Sequence, residues 1–125
     1  MSESILSTKS YAFALRIIKL YQFMIQERRE FVLSKQVLRC GTSIGANIEE
    51  SIHAQSKTDF IHKLSIAQKE ANETNYWLRL LKDSEYIDQK LAESFLTDCE
   101  EIQRILAASI KTAKSNLKNA AANQF

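Results

Sequence analysis

The chain has no proline and only two glycines in 125 residues, Gly41 and Gly45. A β-rich fold of this length needs many tight turns, and tight turns draw on glycine, proline and Asn-Gly pairs. Their near absence leaves a few long helices with very few connections. An apolar content of 45% and a charged content of 26% suit a globular chain with a core of its own. The expectation is an all-α single domain over residues 1–118.

Both glycines fall inside a helical pattern, four residues apart, so they stack on one face of a helix. Glycine in a helix interior costs about 1 kcal/mol against alanine. Two of them imply the close approach of another backbone.

Periodicity predicts four helices, at about 8–26, 31–54, 57–82 and 88–117. In the first, apolar residues at 11, 14, 18, 21 and 25 and at 13, 17, 20 and 24 form two adjoining stripes, wide enough for two neighbours. ERRE (27–30) is a polar connection. The second helix has a core face at Leu33, Val37, Cys40 or Gly41, Ile44, Ile48 and Ile52. Ser56 followed by Asp59 resembles a capping box opening the third helix. There Phe60, Leu64, Ala67, Ala71, Thr74, Leu78 and Leu81 form an unbroken heptad seam. Beside it run Ile66, Glu70, Glu73, Trp77 and Leu80, so Glu70 and Glu73 should be partly buried acids that need a basic or amide partner. Asp88 suits an N-cap, and Leu91, Phe95, Cys99, Ile102, Leu106, Ser109, Ala113 and Leu117 repeat the four-three spacing. Residues 119–125 lose periodicity and are expected to fray. Helices joined this tightly should pack up-down-up-down as a left-handed four-helix bundle. The surplus apolar surface on the first and third helices suggests self-association.

The two cysteines belong to no CxxC pair, and no His/Cys cluster has metal-ligand spacing. No signal-like start and no apolar run of about 18 residues is present, so a cytoplasmic protein with reduced thiols is expected. Residues 1–69 carry ten basic and six acidic side chains, and the remainder seven and nine. Arg16, Lys19, Arg28, Arg29, Lys35 and Arg39 concentrate on the first helix, its connection and the early second helix. They form a candidate polyanion surface. Nothing resembles a helix-turn-helix or zinc finger, so binding there would follow shape and charge rather than base sequence.

An enzyme would need a nucleophile with its base, carboxylates paired in a cleft, or a metal cluster. The nearest constellation is Glu49, Glu50, His53, Glu70 and Glu73. A di-iron bundle needs Glu-x-x-His on two helices and a glutamate on each of the others. Glu50 and His53 supply one such motif, the third helix has Glu70-x-x-Glu73 instead, and the first helix offers no inward carboxylate. No catalytic residue, metal or cofactor is expected.

LRCGTSIGANIEE (38–50), the run from DFIHKLSIA to Thr74 (59–74), YWLRLL and SYAFALRIIKLY (10–21) together resemble a known family. It comprises the four-helix-bundle proteins encoded in intervening sequences of bacterial 23S ribosomal RNA genes, with relatives among the accessory proteins of diversity-generating retroelements. The matching signature takes in Arg39, Gly41, Ser43, Ile44, Ala46, Asn47 and Ile48, then Ser56, Phe60, Leu64, Ala67, Glu70, Glu73 and Leu78. Cys40 departs from the usual serine or alanine, and Gly45 from a frequent proline. The resemblance implies a ring-like homo-oligomer, often a pentamer. For the retroelement relatives it also implies a basic surface that works with a reverse transcriptase and its template RNA.

The expected function is therefore non-enzymatic: an oligomeric bundle that binds structured RNA or a nucleic-acid-processing protein. Gly41, Ser43, Ile44, Gly45, Asn47, Glu70, Glu73 and Trp77 are expected to fix the packing of the second helix on the third and the subunit interface. A protein–protein scaffold without direct nucleic-acid contact is the alternative.

Overall fold

Four helices follow one another in the computed structural model, which describes residues 2–123. They are α1 (Ser2–Gln26), α2 (Leu33–Ile52), α3 (Lys57–Asp83) and α4 (Gln89–Ala122). No strand occurs among the described residues. Each helix packs on the next in sequence, and α4 closes back on α1. Cross-helix pairs run in opposite senses. Ser7 meets Glu49 while Ile17 meets Gly41, and Lys9 meets Glu101 while Arg16 meets Asp98. That ordering is the one an up-down-up-down bundle requires.

The core follows the heptad spacing. On α1 the buried residues are Leu6, Ser10, Phe13, Ile17, Leu20 and Met24, so of the two apolar stripes the one through 13, 17, 20 and 24 points inward. Tyr11 and Ile18 of the other stripe are exposed. On α3, Leu64, Ala67, Ala71, Thr74, Leu78 and Leu81 are fully buried, as the seam predicts, and Phe60 lies at its edge. Phe13 and Phe95 meet edge to face, their ring centroids 6.3 Å apart, where α1 touches α4. No helix among the described residues is long and apolar enough to cross a membrane.

Helix ends explain how the chain turns without proline or loop glycine. Ser56 accepts from the Asp59 N–H at 3.0 Å, and Asp88 accepts from the Leu91 N–H at 2.7 Å. The return bond of the capping box lands one residue early, from the Gln55 N–H to Asp59 Oδ2 at 3.4 Å. α3 ends in a Schellman motif, with Tyr86 N–H on the Leu81 carbonyl and Glu85 N–H on that of Lys82. Glu85 takes the left-handed conformation (φ 66°) that glycine usually supplies there.

Two ends differ from the expected bounds. α1 starts at Ser2 rather than near residue 8, with fully buried Leu6 carrying the core pattern one turn earlier. α4 runs through Ala122 rather than ending at 117. Alanine needs no packing partner to favour helix, so the tail expected to fray from 119 stays helical through Ala122. Residues 124–125 lie outside the described part.

Both thiols are free and buried. Burial pushes the Cys99 thiol up to about 12, with Cys40 nearby adding to the shift. Burial also raises Cys40, against a hydrogen bond with Thr74. Native protein is expected to resist a thiol reagent near pH 8 and to take up two equivalents once unfolded in urea. Mass spectrometry would count the adducts, and rapid labelling of folded protein would contradict the burial.

Candidate nucleic-acid interface

The six basic side chains proposed from sequence do not share one fate. Arg16 on α1 lies against α4. Its Nη1 is 2.6 Å from Asp98, its Nη2 donates to Ser94 Oγ at 2.9 Å, and its guanidinium sits 4.1 Å from the Phe95 ring centroid. Arg28 donates through Nε to the Tyr86 carbonyl at 3.0 Å, with its guanidinium 5.0 Å from the Phe23 ring centroid. It thereby ties the α1–α2 connection to the α3–α4 connection. Arg39 bridges from α2 to both Glu70 (3.2 Å) and Glu73 on α3. These three spend much of their hydrogen-bonding capacity on the protein itself.

Lys19, Arg29 and Lys35 are exposed and make no ion pair among the described residues. They sit near the end of α1, in the connection and in the first turn of α2. Arg29 adopts a left-handed backbone (φ 54°), the bend at which the chain leaves α1.

The cluster around Arg39 has a definite electrostatic design. Trp77 Nε1 donates to Glu73 Oε2 at 3.0 Å. That bond is the main cause of the Glu73 pKa lying below its ordinary value, with Arg39 adding to it against partial burial. The hydrogen bond from Arg39 to Glu73 correspondingly holds the guanidinium pKa above its usual value. Trp77 also meets Tyr76 edge to face at 5.2 Å. Glu70, Glu73 and Trp77 thus join α3 to Arg39 on α2.

The remaining residues expected in the α2–α3 packing behave differently. Gly41 and Gly45 face α1, not α3. A Cβ built at Gly41 would lie 2.9 Å from both Cγ1 and Cγ2 of Ile17, and one at Gly45 would lie 3.4 Å from Ser10 Oγ and 3.5 Å from the Ser10 carbonyl oxygen. The spacing predicted a close approach but carried no information on which helix makes it. Ser43 donates to the Arg39 carbonyl (2.6 Å) and Asn47 to the Ser43 carbonyl (2.9 Å), so both side chains bond within α2. Ile44 is fully buried.

The carboxylates weighed for a di-iron site are dispersed. Glu49 accepts from Ser7, Glu50 pairs with Lys63, and Glu70 and Glu73 face Arg39. No group of three or more His, Cys, Asp or Glu side chains among the described residues could hold a metal ion.

Glu30 went unrecognised in the sequence. It looks like part of a charged connector, yet it is only 9% exposed and accepts from the N–H groups of Val32, Leu33 and Ser34 at 3.1, 3.0 and 2.7 Å. One signal was available. Phe31 and Val32 precede α2 with no capping side chain, so another acceptor had to serve its first turn.

A family model described as 23S rRNA-intervening sequence protein matches residues 2–108. A crystal structure of a protein of unknown function from the S23 ribosomal protein family of Bacteroides thetaiotaomicron VPI-5482 is 54% identical in sequence. It superposes with a TM-score of 0.88, over 89% of this chain and 99% of that one. No curated protein matches the chain.

Proposed function

The chain belongs to the 23S rRNA-intervening sequence protein family, and from that premise we propose that it is a non-enzymatic, RNA-binding accessory protein working in the cytoplasm as a homo-oligomer. The observation that carries this reading is the exposure of Lys19, Arg29 and Lys35 without carboxylate partners among the described residues. Repeated around a symmetric assembly, three free cations per chain become a belt, and affinity for phosphate grows with each charge neutralised. The family's description ties it to 23S rRNA, which favours structured RNA as the polyanion. Recognition would follow backbone shape and charge.

Self-association is supported by the outer face of α1. Tyr11, Leu15 and Ile18, at steps of four and three, are 68%, 49% and 39% exposed. An apolar stripe on the outside of a small bundle favours burial against another copy. A ring of five is the assembly that the sequence resemblance implies.

The test is RNA binding by the purified protein across a salt titration, with its mass recorded by light scattering. A multiple of 14.3 kDa whose log affinity falls steeply with log salt is expected. The triple variant Lys19→Glu/Arg29→Glu/Lys35→Glu should lose at least about tenfold in affinity while keeping its mass. An oligomer with no affinity for RNA even at low salt would replace this reading with the protein scaffold.

A further inference from the structure

From Ile102 to Phe125 the sequence holds four basic residues, Arg104, Lys111, Lys114 and Lys118, and no aspartate or glutamate. Arg104, Lys111 and Lys118 are seven apart, two helical turns each time, and Lys114 falls between the last two, so the four share one side of α4. All four are exposed, and none makes an ion pair among the described residues. Lys9, Arg16, Arg39 and Lys63, by contrast, all face carboxylates. From Arg104 to Lys118 this face extends about 21 Å along the helix, long enough for several consecutive phosphates.

A cleft of about 1170 Å³ opens beside it, between the early turns of α1, the end of α2, the start of α3 and this half of α4. Phe60 and Ile105 give it an apolar wall, Ser109 and Thr112 add hydroxyls, and Lys57 and Arg104 bring positive charge. No carboxylate lines it among the described residues. Arg104 belongs to both features, so the basic face and the cleft adjoin.

We propose that this end of the bundle holds a single-stranded segment of RNA, its phosphates along Arg104, Lys111, Lys114 and Lys118 and an unstacked base in the cleft. A duplex would satisfy the basic face alone, because its base faces are stacked and out of reach. A single strand also offers a flat apolar face to Phe60 and Ile105 and a hydrogen-bonding edge to Thr112. The cleft has room for a base with its ribose. This inference rests on the RNA-binding reading and differs from it in place and in strandedness.

The experiment compares one RNA of roughly 12 nucleotides, a length within the usual single-strand footprints, as a single strand and as a duplex, on the full-length chain. Three variants are used: Arg104→Gln/Lys111→Gln/Lys114→Gln/Lys118→Gln, Ala108→Phe, and the Lys19/Arg29/Lys35 reversal above. Glutamine keeps helix propensity, and Ala108 is exposed and lines the cleft, so helix content by circular dichroism should hold. Wild type should prefer the single strand. The quadruple variant should flatten the slope of log affinity against log salt by about 2–3, at roughly 0.7 per lost phosphate contact. Ala108→Phe should weaken single-strand binding about tenfold and leave that slope unchanged. Full affinity and slope in the quadruple variant, with binding lost in the Lys19/Arg29/Lys35 reversal, would overturn this inference and leave the RNA reading standing. Equal binding of duplex and single strand, or no effect of Ala108→Phe, would also overturn it. Absence of RNA binding by wild type at any salt would remove both.

Discussion

Gly41→Val is expected to lower the free energy of unfolding by about 3 kcal/mol, whereas Gly45→Ala is expected to raise it by about 0.5–1 kcal/mol. Both positions lie on the same face of the same helix, so propensity alone predicts the same sign. Space decides otherwise. At Gly41 even the first added carbon meets two Ile17 atoms at 2.9 Å. Those atoms branch directly from Cβ and cannot swing away without leaving a rotamer well. Ile17 is itself fully buried, so any movement is passed to packed neighbours. At Gly45 the nearest atoms stand 3.4 Å and more away, ordinary contact, and the helix gains what glycine cost it. Urea unfolding followed by circular dichroism, at one fixed protein concentration because assembly would shift the apparent stability, measures both. A double-mutant cycle assigns the cause. If Ile17→Ala relieves part of the Gly41→Val penalty, the two side chains compete for one space. Additive effects would mean that the strain lies elsewhere.

What the sequence showed and what it hid divide along physical lines. The α3 seam was legible residue by residue because helical period and burial coincide from Leu64 to Leu81. The caps at Ser56 and Asp88 were legible for a similar reason, since each acts on an N–H three residues away. Partners far along the chain were not. Arg16 reaches Asp98 across 82 residues, so an arginine that read as a free cation is engaged by a carboxylate. The stripes on α1 were visible, but which of them faces inward depends on how the other three helices surround it. The basic half of α4 vanished into an average. The second half of the chain holds seven basic and nine acidic residues, yet none of the acids lies beyond Glu101.

Glu30→Ala is expected to cost about 2–3 kcal/mol at neutral pH, more than a surface carboxylate would. α2 begins after two apolar residues that offer no cap, Phe31 and Val32. Its first amide groups need an acceptor, and the Glu30 carboxylate takes three of them while the Glu30 carbonyl accepts from Ser34 Oγ at 2.8 Å. Burial alone would raise the pKa of this carboxyl. The hydrogen bonds from Leu33, Ser34 and Val32 outweigh it and hold the pKa below the ordinary 4.5. A carboxyl depressed by folding contributes its stability in full above its unfolded pKa and loses it as pH falls through the folded one. The wild-type advantage over Glu30→Ala should therefore be complete at pH 7 and shrink progressively below about pH 4.5. Taking the difference between the two proteins cancels the contribution of Glu73, whose pKa is also held below its ordinary value. Urea midpoints of both proteins, compared at neutral pH and near pH 3, decide the matter. An undiminished difference in acid would show that α2 is held by the volume of the Glu30 side chain and not by its charge.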